Sequence, residues 1–252
     1  MAKRLLALAL ALALPGQIGA QSAWSNDCSV DAMVVFDGSG SMAEMGFNDL
    51  DEPRIFEARR AMHDVMPLIA PFRRIGLIVY GPAPGGGPGT QCANIDLRFA
   101  PQAGAGPAVT QAVDALEPAG ETPLTQAVQT AAQVLDHHSR PGVVVLVTDG
   151  RETCGGAPCQ LAATLAAESA DLTVHVIGFK VRGDFFGWNS TAREQYENAN
   201  SVARCLADRT GGQYFATETA QELAQALNDT LGCPMISWRP GGRPGAGQQI
   251  PG

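Results

Sequence analysis

"VVFDGSGSM", residues 34–42, runs from an apolar stretch into an aspartate, two glycines and two serines. Val34, Val35 and Phe36 have the β-branched and aromatic character of a strand, and Asp37 ends it. Read as extended chain, the segment sends alternate side chains the same way. Asp37, Ser39 and Ser41 then present one carboxylate and two hydroxyls to one side, while Gly38 and Gly40 face away or bend the chain. Three oxygens at the carboxyl end of a strand suit a hard divalent cation, which gathers about six around itself. In an open α/β sheet, ligands collect outside the carboxyl ends of the strands, so this stretch predicts both the fold class and the place of a site.

The rest of the chain repeats the pattern. Short β-rich runs at 31–37, 74–81, 94–99, 143–149, 172–179 and 212–217 alternate with segments of helical period near 53–70, 107–117, 123–138, 158–169, 192–209 and 219–231. Such alternation predicts an α/β fold of three layers, a mostly parallel six-stranded sheet with helices on both faces. "PAPGGGPGTQCA", residues 82–93, is too rich in glycine and proline for a helix. The second and third strands are therefore expected to be joined directly, which makes the third an antiparallel edge strand.

Composition narrows the class. With 252 residues, 45% hydrophobic and 17% charged, the chain suits one globular domain. Lys3 and Arg4, the Leu and Ala run from Leu5 to Leu14, and the small residues up to Ala20 form a secretory signal, expected to be cut after Ala20. The expected organisation is signal 1–20, domain 21–233 and a Pro/Gly-rich tail 234–252 that buries too little to order itself. Loss of Lys3 and Arg4 takes the net charge from −8 to −10, which argues against a nucleic-acid partner. No segment approaches the roughly 20 apolar residues of a spanning helix. A periplasmic or secreted protein is expected. The six cysteines, Cys28, Cys92, Cys154, Cys159, Cys205 and Cys233, are an even set bound for an oxidising compartment and are read as disulfides. The nearest pair, in "CGGAPC" at 154–159, lacks the spacing and the histidines of a zinc site.

A cation held by Asp37, Ser39 and Ser41 needs further oxygens. Thr122 in "GETPL" and Asp149 in "VLVTDG" lie at element boundaries where the sheet would supply them. With these five residues in order, the chain resembles a von Willebrand factor A domain. Asp37, Ser39 and Ser41 match the Asp-x-Ser-x-Ser of its metal ion-dependent adhesion site, Thr122 its separate threonine and Asp149 its later aspartate. The resemblance covers about residues 29–233, includes the antiparallel third strand, and is especially close to bacterial exported members that share "DGxETC". It implies a binding protein and no enzyme, acting in adhesion, scaffolding or envelope assembly. It also implies Mg²⁺ (or Mn²⁺ or Ca²⁺), touched directly by Ser39, Ser41 and Thr122, with the aspartates acting largely through water. A partner protein would offer an acidic side chain to an ion whose mostly neutral ligands leave it electron-poor.

In that topology Cys28 and Cys233 lie at the sheet end away from the ion and are expected to pair. Their bridge would tether a last helix that slides in related adhesion domains. The other four cysteines allow three pairings; Cys92 with Cys154 and Cys159 with Cys205 is favoured, because Cys92 and Cys205 belong near opposite sheet edges.

Other readings compete. Gly38 to Ala43 fits a dinucleotide fingerprint with alanine last, but Asp37 would face the pyrophosphate, and the second strand ends in "VYG" without an acid for the ribose. Neither Ser39 nor Ser41 has glycines on both sides at the nucleophile-elbow spacing. His63 reads as a helix surface residue, His175 as a strand core or face residue, and His137 with His138 as a helix end where partial charge suits the dipole. A further alternative is a structural ion with a separate interface on "KVRGDFFGWNSTAREQYENANS", residues 180–201. There Phe185, Phe186 and Trp188 would form the contact patch. Arg182-Gly183-Asp184 reads as a chance triplet, and the sequons at Asn189 and Asn228 matter only in a glycosylating host.

Overall fold

The computed structural model describes residues 28–46, 50–81, 92–180 and 203–233. The expected signal, the tail and the aromatic loop with Phe185, Phe186 and Trp188 lie outside these residues. So do Arg182–Asp184, Asn189, most of the 82–93 connection and the first part of the helix expected at 192–209.

Six strands form one sheet: β1 (Ala32–Asp37), β2 (Ile75–Tyr80), β3 (Ile95–Gln102), β4 (Pro141–Thr148), β5 (Asp171–Phe179) and β6 (Tyr214–Thr217). Their spatial order is β3-β2-β1-β4-β5-β6, parallel throughout except for the antiparallel pairing of β2 with β3. The helices are α1 (Arg54–Ile69), α2 (Gly106–Asp114), α3 (Leu124–Val134), α4 (Pro158–Glu168), α5 (residues 203–210) and α6 (Ala220–Leu231).

β1 and β2 are buried along their whole length because helices cover both faces, which is why they read as continuous apolar runs. Side chains alternate between two cores. Val34 and Phe36 join Val65, Met66, Val109 and Leu227 of α1, α2 and α6. Met33, Val35 and Tyr80 join Val128, Leu165 and Leu206 of α3, α4 and α5. β3 at the edge is largely exposed, and its Asp96 and Arg98 form an ion pair at 3.1 Å, the charged character that discourages strand addition.

Three disulfides join Cys28 to Cys233, Cys92 to Cys154 and Cys159 to Cys205, with Cα separations of 5.5, 5.5 and 5.2 Å. The first ties the entry of β1 to the end of α6. The other two fasten the segment after β4 on one side to the entry of β3 and on the other to α5. Among the described residues no helix is long and apolar enough to cross a membrane.

Local structure corrects the sequence reading of His137 and His138. α3 ends at Val134, so His137 and His138 lie in the turns beyond it. His137 is buried, its Nδ1 lies 2.9 Å from Ser169 Oγ, and burial, then the charge of His138, pushes it below the usual histidine value. It is thus kept neutral rather than charged for the helix dipole. His63 is exposed as expected, but it has a partner: its Nε2 lies 2.9 Å from Asp114 on α2.

Candidate metal centre

The strand ends at Asp37, and Gly40–Ala43 turns as a single 3-10 turn. The sequence argument by alternation therefore fails beyond Ser39, because the chain is no longer extended at Ser41. The tight turn does the work instead. It brings Ser39 Oγ within 3.1 Å of Ser41 Oγ, while the Ser39 amide donates to Asp37 Oδ1 at 2.8 Å. Across the sheet, β4 runs beside β1, and its last residue, Thr148, donates its hydroxyl to Asp37 Oδ2 at 2.7 Å. The next residue, Asp149, accepts from the Ser41 hydroxyl at 2.6 Å. Asp37, Ser39, Thr122 and Asp149 are all buried.

The third segment, residues 117–123, is held against the first by backbone bonds. Gly40 N–H donates to Gly120 O and Ala119 N–H to Gly38 O, both at 3.0 Å. Gly120 has φ +77°, and a Cβ there would fall on the Gly81 carbonyl; only glycine permits both the conformation and the approach. Two residues on, Thr122 is fixed by its amide donating to Thr153 Oγ1 at 2.8 Å. A Cβ placed on Gly150 would lie 3.6 Å from Ser41 Oγ and 3.9 Å from Thr122 Oγ1. Both hydroxyls therefore line one small space that the missing side chain of Gly150 keeps open.

Electrostatics follow from this crowding. Asp149 is pushed up to about 7, first by burial and second by the Asp37 charge, against the pull of the Ser41 hydroxyl and Arg54. Tyr80, beside Asp37 in the β1–β2 register, has its phenol raised well above the ordinary value by burial, then by Asp37. Its hydroxyl is buried beside Thr148 and Asp37. Two buried carboxylates, three hydroxyls and the space beside Gly150 fit a small hard cation with water around it. Clusters of three or more His, Cys, Asp or Glu arranged for a metal do not occur among the described residues, so a softer transition-metal set has no counterpart there.

Sequence reasoning missed two participants. Arg54, the first residue of α1, donates through Nη1 to Asp149 Oδ2 at 2.9 Å; nothing in "DEPRIFEARR" (residues 51–60) distinguishes it from the other arginines. Glu152, in "DGRETC", accepts from the Thr125 amide at 2.8 Å and its hydroxyl at 2.6 Å, and from the Cys154 amide at 2.8 Å. It thereby caps the start of α3 and fixes the loop after Asp149. An acid at a helix start is a readable signal, but here the helix lies 27 residues away from the acid in the chain.

Residues 32–152 match the family model described as von Willebrand factor type A domain. The chain contains a von Willebrand factor type A domain. The uncharacterized protein YwmD of Bacillus subtilis (strain 168) is 28% identical over 232 residues, covering 89% of this chain and 95% of that protein. Among solved structures, the pilus adhesin SpaC from Lactobacillus rhamnosus GG aligns with TM-score 0.57 at 15% identity, over 79% of this chain. The vWF domain of the type V pili tip protein Mfa5 from Porphyromonas gingivalis aligns with TM-score 0.52 at 16% identity, over 80% of this chain and 96% of that domain. Proximal thread matrix protein 1 from the mussel byssus, with a zinc-occupied MIDAS motif, gives 0.53 at 16% over 81% of this chain. This chain spans 30% of the SpaC chain and 45% of the mussel one. At such identities the likeness is one of fold. The antiparallel β3 and the mostly parallel six-stranded sheet are those of the von Willebrand factor A fold.

Proposed function

We propose that the domain is an exported binding module that takes a protein partner through a divalent cation held by Asp37, Ser39, Ser41, Thr122 and Asp149, and that it is not an enzyme. The observation carrying this reading is the space beside Gly150, lined by Ser41 and Thr122 hydroxyls and backed by the buried carboxylates of Asp149 and Asp37. A bound Mg²⁺ would supply positive charge with a water-occupied position that an acidic side chain of a partner can take. Ser39, Ser41 and Thr122 would contribute neutral oxygens, while Asp37, anchored by Thr148 and the Ser39 amide, would contribute charge and orientation. The surface origin of SpaC and Mfa5, and the signal-like start of the chain, support export and a role in adhesion or envelope assembly.

The test is calorimetric titration of MgCl2 into the oxidised protein, followed by capture of envelope proteins with Mg²⁺ and with chelator. Saturable binding that Asp149→Ala abolishes, and capture that chelator releases without unfolding the domain, are the expected results. An intact fold with no cation affinity would sink the reading. Capture indifferent to chelator would leave the ion structural and move the interface elsewhere.

A further inference from the structure

Arg54 occupies a place that helix physics disfavours. It opens α1, where the backbone N–H groups already make the helix end positive. It is nevertheless held in one position: Nη1 lies 2.9 Å from Asp149 Oδ2, 3.4 Å from the Ser41 carbonyl oxygen and 3.5 Å from Glu44 Oε2. Only 14% of its side chain is exposed, and that of Asp149 is fully covered. Two other charges lie close to Arg54. Glu57, on the next turn of α1, is paired with Lys180 at 3.0 Å, and Glu44 is two-thirds exposed and so well screened.

The consequence is a charge count. Among the groups in contact, Asp37 and Asp149 when ionised bring two negative charges to the centre and Arg54 removes one. A dication would turn the remaining −1 into +1; with a neutral residue at position 54 it would turn −2 into zero. Resting on the cation-site reading above, we infer that Arg54 sets the balance of the site. It weakens the hold on the ion, and in exchange keeps the loaded centre net positive and receptive to a carboxylate. Arg54 is thus a specificity-determining residue for an anionic ligand without being a ligand of the ion.

The test needs only the ion and the simplest carboxylate. Mg²⁺ is titrated calorimetrically into the oxidised wild type, Arg54→Gln and Arg54→Lys, and acetate is titrated into the Mn²⁺-loaded proteins with water-proton relaxation as the readout of displaced water. Removing a unit charge beside a dication is expected to tighten Mg²⁺ binding by about tenfold in Arg54→Gln and to weaken acetate by a similar factor. Arg54→Lys should stay near the wild type. Unchanged or weaker Mg²⁺ binding by a folded Arg54→Gln would overturn the inference and leave Arg54 as a mere prop for Asp149. If Arg54→Gln does not fold, Arg54→Met, which removes the same charge but keeps the apolar stem in place, decides. Unchanged or weaker Mg²⁺ binding by a folded Arg54→Met would likewise count against the idea. A wild type that binds neither Mg²⁺ nor Mn²⁺ would defeat the site itself, a different failure.

Discussion

Replacing both Cys28 and Cys233 with serine opens the longest covalent loop in the molecule, and its cost can be worked out. The bridge spans 205 residues, but the bridges of 62 and 46 residues nested inside it shorten the stretch of unfolded chain it closes. What remains is an effective loop of about 100 residues, for which the chain-entropy relation gives about 4.7 kcal/mol. Set against the 5–15 kcal/mol of a typical domain, the double variant should fold but lose a large part of its margin. Urea denaturation of oxidised protein, followed by far-UV circular dichroism, measures the difference as stability extrapolated to water, with the slope rising as the opened chain exposes more surface when unfolded. Hydrogen exchange should show where the loss starts: α6 is tied at its end by Cys233 and keeps its hold on α1 through buried Leu223, Leu227 and Leu231, so its amides should lose protection first. A loss below about 1 kcal/mol would refute the reasoning, since the unfolded chain would then gain little freedom when the bridge is cut.

Three further outcomes are expected. His175 is buried, accepts from the Gln213 amide through Nδ1 at 3.1 Å, and is pushed down to about 4 by burial and then by Arg73. Its neutral form therefore stabilises the fold fully above its ordinary value of about 6.5. That contribution, about 3 kcal/mol, is lost as pH falls from there to about 4, and His175→Gln should flatten this part of a stability–pH profile. Gly120→Ala, which drives a Cβ onto the Gly81 carbonyl at positive φ, should cost about 2 kcal/mol or more and weaken Mg²⁺ binding by displacing Thr122; thermal melting with and without the ion separates the two effects. Glu57→Gln leaves the nearly buried ammonium of Lys180 facing a neutral amide and should lower stability by about 3 kcal/mol in denaturant, whereas Lys180→Met with Glu57→Gln together should recover part of it.

Much of this architecture could be read from residue order alone. Periodicity found every strand because both faces of β1, β2 and β4 are buried, and glycine-rich chain after β2 marked the antiparallel return. Of the centre, what was legible is which residues meet, from their conjunction at element boundaries, since each alone reads as an ordinary polar turn. Their geometry was not. Ser41 arrives through a 3-10 turn that alternation does not predict, because DGSGS reads equally well as extended chain. Arg54 and Glu152 escaped notice for a different reason: their partners, Asp149 and the start of α3, lie 95 and 27 residues away, and a lone charge carries no mark of which distant group it will meet. Tyr80 looked like the last apolar residue of a strand, and only the register beside Asp37 gives its hydroxyl significance.

The two bridges at the upper rim, Cys92 to Cys154 and Cys159 to Cys205, have an implication for the order of events in the life of the chain. They pin the segment that follows Asp149 on both flanks, so covalent bonds hold it whether or not an ion is bound. Little of an ion's affinity need then go into organising loops. On the cation-site reading, a molecule in surroundings poor in divalent ions would wait in working shape until one arrived.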